Sequence, residues 1–152
     1  MSEFMSDLRV QTLLRGLVDS EINTIIPCIT KLQIPKDTHV FRDGEPTKGI
    51  YMLNSGRIEI SKVTPDGWKQ PLHILNRCNF MGEIALLEKT NHGTDALALD
   101  ASELFLIPKD SFEELEEKEP AIMLKIIKNI AIISGLNIRR MNEKFIKALV
   151  NY

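Results

Sequence analysis

Cysteine is scarce in this 152-residue chain: Cys28 and Cys78 stand far apart and outside any CxxC spacing. A disulfide framework and a thiolate metal site are therefore both unsupported, and the pair reads as free thiols in a reducing compartment. A basic excess is missing too. Lys and Arg number 19 against 21 Asp and Glu, for a formal net charge of -2, which argues against nucleic acid or an anionic membrane as partner. The N-terminus, MSEFMSDLRV, has acids where a secretory signal carries a basic region and an apolar run. No export is expected, and the chain reads as cytoplasmic. The longest apolar pattern, Ala121 to Leu136, is broken by Lys125, Lys128 and Asn129. It reads as a soluble helix with buried faces, too short to span a bilayer.

Catalytic machinery is equally thin. His39, His73 and His92 are the only histidines, at no spacing that assembles a metal site. No Ser/His/Asp or Cys/His arrangement sits in a supporting local motif, and Glu113, Glu114, Glu116 and Glu117 read as a solvated helix face. Neither a metal nor catalysis is expected.

What is present suits one domain, since 43% hydrophobic content over this length supports a sizeable core. The doubled start, Met1 and then Met5-Ser6, marks residues 1–6 as a disordered tail or an expression scar. Over residues 7–31, Leu13, Leu14, Leu17, Ile22, Ile25, Ile26 and Ile29 recur at helical spacing, with Asp19-Ser20 as a cap, predicting two short helices. Over residues 32–107 the rhythm becomes alternation: HVF, GIYMLNSG, RIEISKV, QPLHIL and ELFLI are separated by turn formers such as Arg42-Asp43-Gly44, Asn54-Ser55-Gly56 and Thr64-Pro65-Asp66-Gly67. No internal repeat interrupts this stretch, which predicts an all-β barrel or sandwich.

Residues 110–148 read as helices. Asp110 or Ser111 caps a first one that stops near Glu119, and Pro120 sits in the first turn of a long second one. On that helix Ile122, Ile126, Ile130 and Ile133 form one stripe, while Met123, Ile127 and Leu136 lie off it. The apolar surface exceeds one core contact, so a partner chain is expected on this helix, with Ile126 and Ile130 as its anchors.

In order and wording these segments resemble the cyclic nucleotide-binding domain family, the β jelly-roll sensors of catabolite-activator-type regulators, cyclic-nucleotide-dependent kinases and gated channels. The resemblance covers about Asp7 to Met141. It rests on FRDGE and YMLNSGRIEI, on LNRCNFMGEIALLE, and on LFLIPKDSFEELEEKEP before the long helix. It implies a mainly β fold with flanking helices: an eight-stranded jelly roll with short N-terminal helices and a long C-terminal helix.

It also implies a ligand, cAMP or cGMP, held by a cassette over residues 80–96. In the family's pattern Gly82 lets the backbone approach the ligand, Glu83 accepts the ribose hydroxyl, and the N–H groups around Ile84 and Ala85 face the phosphate. His92 stands where the family carries an arginine, followed by the small Gly93 and Thr94 and by Asp95. An imidazole offers one hydrogen bond where a guanidinium offers a fork, and losing such a contact costs roughly 2–5 kcal/mol. His92 then reads either as a phosphate contact protonated near pH 6 or as a plain loop residue. Asp37 and Cys78 replace glycines of the pattern. Asn137 stands where a base-contacting residue falls on the final helix. The sequence ends at Tyr152, leaving no residues for the DNA-binding helix-turn-helix of many relatives. The expectation is a stand-alone sensor or the excised regulatory part of a longer protein: a homodimer through the final helix, or one that meets an unidentified protein partner, without DNA recognition of its own. The alternative is a structural interaction domain that has lost nucleotide binding.

Overall fold

Residues 2–151 are described by the computed structural model, so Met1 and Tyr152, at the ends of the expected tail and domain, lie outside them. The segment expected as a tail is helical from its third residue. In α1, Glu3–Arg9, the Ser2 side chain accepts from the Met5 N–H at 3.2 Å. Met5 and Leu8 are buried, so the apolar side of residues 3–6 belongs to the core. Helix α2, Asp19–Ile25, starts one residue after Val18, whose N–H donates to the Glu21 carboxylate at 3.0 Å. A 3-10 turn over Ile26–Cys28, with Pro27 inside it, ends the helical region. The expected boundary at residue 31 shifts back, because β1 already begins at Thr30.

The remaining strands are β2 His39–Phe41, β3 Gly49–Ser55, β4 Ile58–Val63, β5 Lys69–Leu75, β6 Phe80–Met81, β7 Asp95–Ala98 and β8 Ser102–Pro108. They form two four-stranded antiparallel sheets, ordered β1-β8-β3-β6 and β2-β7-β4-β5. Neighbours so far apart in sequence make this a jelly roll. Helix α3, Glu83–Glu88, links β6 to β7; α4, Lys109–Lys118, follows β8; and α5 runs from Pro120 to Val150. The expected cap at Asp110 or Ser111 gives way to a start at Lys109, directly after extended Pro108.

Strands β3 and β8 are buried on both faces. Tyr51, Leu53, Leu104 and Leu106 point into the space between the sheets, whereas Ile50, Met52, Phe105 and Ile107 pack under the helices with Leu8, Phe112 and Ile126. Period-two alternation thus serves two cores at once. Gly49, at the start of β3, is forced: a Cβ there would lie 2.1 Å from the Ile107 carbonyl oxygen.

Helix α5 is seated on the N-terminal elements. Asn129 Nδ2 donates to the carbonyls of Leu13 and Arg15 at 2.8 and 2.9 Å, and Lys125 Nζ to that of Gly16 at 3.1 Å. Ile122, Met123, Ile126 and Ile130 are buried, so the stripe expected to anchor a partner is filled by the protein's own core. The helix is 31 residues long and, by length and composition alone, apolar enough to cross a membrane. This corrects the expected shortfall in length; the core packing of its first half is what a bilayer span would forfeit.

Cys78 and Asp37 adopt φ values of 77° and 66°, the left-handed conformation that the replaced glycines would occupy without steric cost. Cys78 holds it because its N–H donates to the Leu53 carbonyl at 2.9 Å and its own carbonyl accepts from the Thr12 N–H at 3.3 Å. Relief of the Cβ clash is expected to make Cys78→Gly about 1 kcal/mol more stable in urea denaturation. A loss of stability would mean that the thiol contributes more packing than the backbone conformation costs.

Candidate functional site

The cassette is built where β6 stops. Gly82 turns the chain at φ 87° and becomes the residue before α3. A Cβ at this position would fall 3.0 Å from the Gly49 carbonyl oxygen, 3.5 Å from Tyr51 Cδ2 and 3.6 Å from His92 Cε1. Only a glycine satisfies both the conformation and the close approach. Glu83 is half-buried, Ile84 exposed and Ala85 buried. Burial pushes the Glu83 carboxyl above the usual carboxylate range, and its own backbone N–H offsets part of this.

Past α3 the chain returns as a loop laid against the turn between β2 and β3. The Gly44 N–H donates to the His92 carbonyl at 2.8 Å, and the His92 N–H to that of Glu45 at 2.9 Å. Asp95 accepts the Asp43 N–H at 2.7 Å. Lys62 Nζ donates to the Gly93 carbonyl at 2.6 Å and to the Asp43 carboxylate at 3.3 Å. Asp95 therefore pins a neighbouring turn, and the cation at Gly93 already has two oxygen partners.

His92 is only 4% exposed. Its ring stacks on Phe41 with centroids 3.7 Å apart and planes within 5°, and its Nε2 is buried without a hydrogen-bond partner. It is a packed core residue rather than a loop side chain. Desolvation lowers its pKa below the ordinary histidine value, with the charge of Glu45 partly opposing, so its protonation is disfavoured relative to that of a solvated histidine. Tyr51 is shifted upward by burial first and by Glu45 second.

Gly82 and His92 are thus brought together. Thr94 is half-buried and Gly93 exposed beside them, whereas Asn137 lies on an exposed stretch of α5. Sequence reasoning passed over Phe41, Tyr51, Glu45 and Lys62, which read only as strand, turn and surface residues until the sheets closed on one another. Among the described residues no group of three or more His, Cys, Asp or Glu side chains is placed to hold a metal ion. One surface hollow of about 390 Å³ is lined by Leu86, Phe112, Glu116, Met123 and Ile127, outside the jelly roll.

The depressed His92 pKa carries a sign. The unfolded chain binds the proton more readily below about pH 6.5, so stability falls as pH drops through that value toward the folded pKa. His73 on β5 acts in the same direction, through desolvation and the charge of Lys144, while the raised Glu83 acts in the opposite one. His92→Phe, which keeps the stack and removes the buried nitrogen, is expected to lose less stability than the parent between about pH 7.5 and 5.5 in urea denaturation. An equal loss in both proteins would remove His92 from the acid sensitivity.

The model of the cyclic nucleotide-binding domain family matches residues 31–119. The anaerobic regulatory protein of Bacillus subtilis is 29% identical over 82% of this chain and 53% of its own length, so the chain spans about half of that relative. The fold superposes on the catabolite activator protein of Thermus thermophilus with a TM-score of 0.76 at 19% identity, covering 89% of this chain and 62% of that one. A cyclic nucleotide-binding domain from Methylobacillus flagellatus gives a TM-score of 0.86 at 12% identity, covering 93% and 82%.

Proposed function

Since the chain belongs to the cyclic nucleotide-binding domain family, we propose that it is a cytoplasmic, non-enzymatic regulatory module that binds a small ligand at Gly82 and Glu83 and relays the event through α5 to a second copy. The observation that carries this is the double character of α5. Its first half is held by Asn129 and Lys125 on the N-terminal elements, while Leu124, Ile127, Ala131, Ser134, Ile138, Met141, Phe145 and Ala148 follow at alternating steps of three and four. All eight are exposed or half-exposed. Such spacing is a coiled-coil seam, with small residues at its centre that allow close approach of two helices. A ligand that favours one setting of α5 over another shifts the dimer population by its difference in affinity for the two.

Membership of a cyclic nucleotide-binding family supports cAMP or cGMP as the ligand, held weakly because no arginine occupies residues 80–96. Titrating either up to several millimolar while following thermal unfolding tests this, since a ligand at a hundredfold its dissociation constant adds about 2.7 kcal/mol of stability. A saturable rise supports the sensor; no shift favours a second reading, a structural interaction domain without a nucleotide. The packing of His92 on Phe41, which fills the inner wall of the cassette, speaks for that second reading.

A further inference from the structure

Two features of the cassette concern the chemistry of whatever enters it. His92 Nε2 is buried with no partner in a ring whose Cε1 edge faces Gly82. A buried nitrogen left unpaired is costly, and a group with matching hydrogen-bonding capacity removes the cost. Glu83, beside Gly82, is a half-buried carboxyl with a raised pKa and no cation among the causes of its shift. Both are acceptors, or weak neutral donors, and neither attracts an anion.

The surroundings have the same polarity. The charge of Glu45 is felt at Tyr51 and at His92, Asp43 and Asp95 flank the loop, and Lys62 is engaged by the Gly93 carbonyl and Asp43. Of the side chains that close on Gly82, neither Tyr51 nor His92 supplies a fixed positive charge, so a negatively charged phosphodiester there would give up its hydration without a cation in contact. A hydroxyl-rich ligand carries no such charge and presents donors to Glu83 and to the imidazole.

We propose that the cassette takes an uncharged polyhydroxyl ligand, of the nucleoside or sugar class, in place of a phosphate ester. The inference rests on the reading of this cassette as a small-molecule pocket and narrows its ligand.

The test is isothermal calorimetry and thermal unfolding of the whole chain with adenosine, guanosine, ribose, cAMP and cGMP. At least one uncharged compound is expected to bind saturably, about tenfold or more tighter than either cyclic nucleotide. Glu83→Gln should weaken that binding by about tenfold or more, and His92→Arg with Asp95→Thr should move the preference toward cyclic nucleotides by about tenfold or more. Response to ribose as strong as to adenosine assigns the sugar as the recognised part; response to a nucleoside alone adds the base. Cyclic nucleotides binding as tightly as adenosine and guanosine, or Glu83→Gln without effect, would overturn the inference and leave the regulatory reading intact. Silence from all five compounds would overturn both together.

Discussion

Ile138→Asp is expected to leave the chain folded and to weaken its self-association by about a hundredfold or more, read as a change from dimer to monomer in sedimentation velocity. Ile138 is 58% exposed in the monomer, so an aspartate there keeps its hydration until a second helix covers it. In a two-fold dimer the penalty is met twice, because each copy contributes the same position. A loss of about 1.4 kcal/mol per copy already amounts to a hundredfold. Phe145, 65% exposed on the same seam, should respond alike. A sedimentation coefficient unchanged by Ile138→Asp would remove this seam as the interface and turn attention to the exposed Trp68 and Val63 at the tip of the hairpin between β4 and β5.

Ile126→Asp, twelve residues earlier on the same helix, is expected to fail differently. Ile126 is fully buried, against the core that also holds Leu13, Ile22 and Phe112. An aspartate there loses the isoleucine's packing and buries a carboxyl without a partner, roughly 4 kcal/mol or more. Against a total of about 5–15 kcal/mol for a domain, that is much or all of the stability. Urea denaturation should show a chain largely unfolded without denaturant. A well-folded monomer would instead place Ile126 at the interface, where apolar spacing alone had put it.

The contrast between these two positions shows where sequence reasoning reached its limit on α5. Apolar residues at steps of three and four are compatible with a core face and with a partner face, and α5 carries one buried stripe and one exposed stripe. Ile122, Ile126 and Ile130 match the pattern as well as Leu124, Ala131 and Ile138 do. Which stripe turns inward depends on the N-terminal carbonyls of Leu13 and Arg15, which capture Asn129 and so set the rotation of the helix. No period within the helix records the position of those carbonyls.

The cassette divides in a similar way. Gly82 was legible through the family's motif, and its φ of 87° fits the turn between strand and helix, whereas its approach to the Gly49 carbonyl comes from the pairing of β3 with β6. His92 was legible only as a departure from an arginine. Its burial requires Phe41, 51 residues earlier in the chain, and the zipper between residues 43–45 and 92–95 that presses one loop on the other. The motif left His92 either as a phosphate contact protonated near pH 6 or as a plain loop residue, and burial beside Phe41 instead lowers its pKa below the ordinary histidine value.

By itself, the sequence determined the jelly roll between short helices and a long final one, the positions of most strands and turns, and membership of the cyclic nucleotide-binding domain family. These follow from alternation, turn chemistry and motif order, which are local in the chain. Only the tertiary structure decided that Phe4 and Met5 join the core, that His92 is packed with its pKa lowered, that Asp95 holds a turn, and which face of α5 stays exposed. Each of those depends on a partner group brought from a distant part of the chain, and burial, desolvation and helix rotation exist only once that partner has arrived.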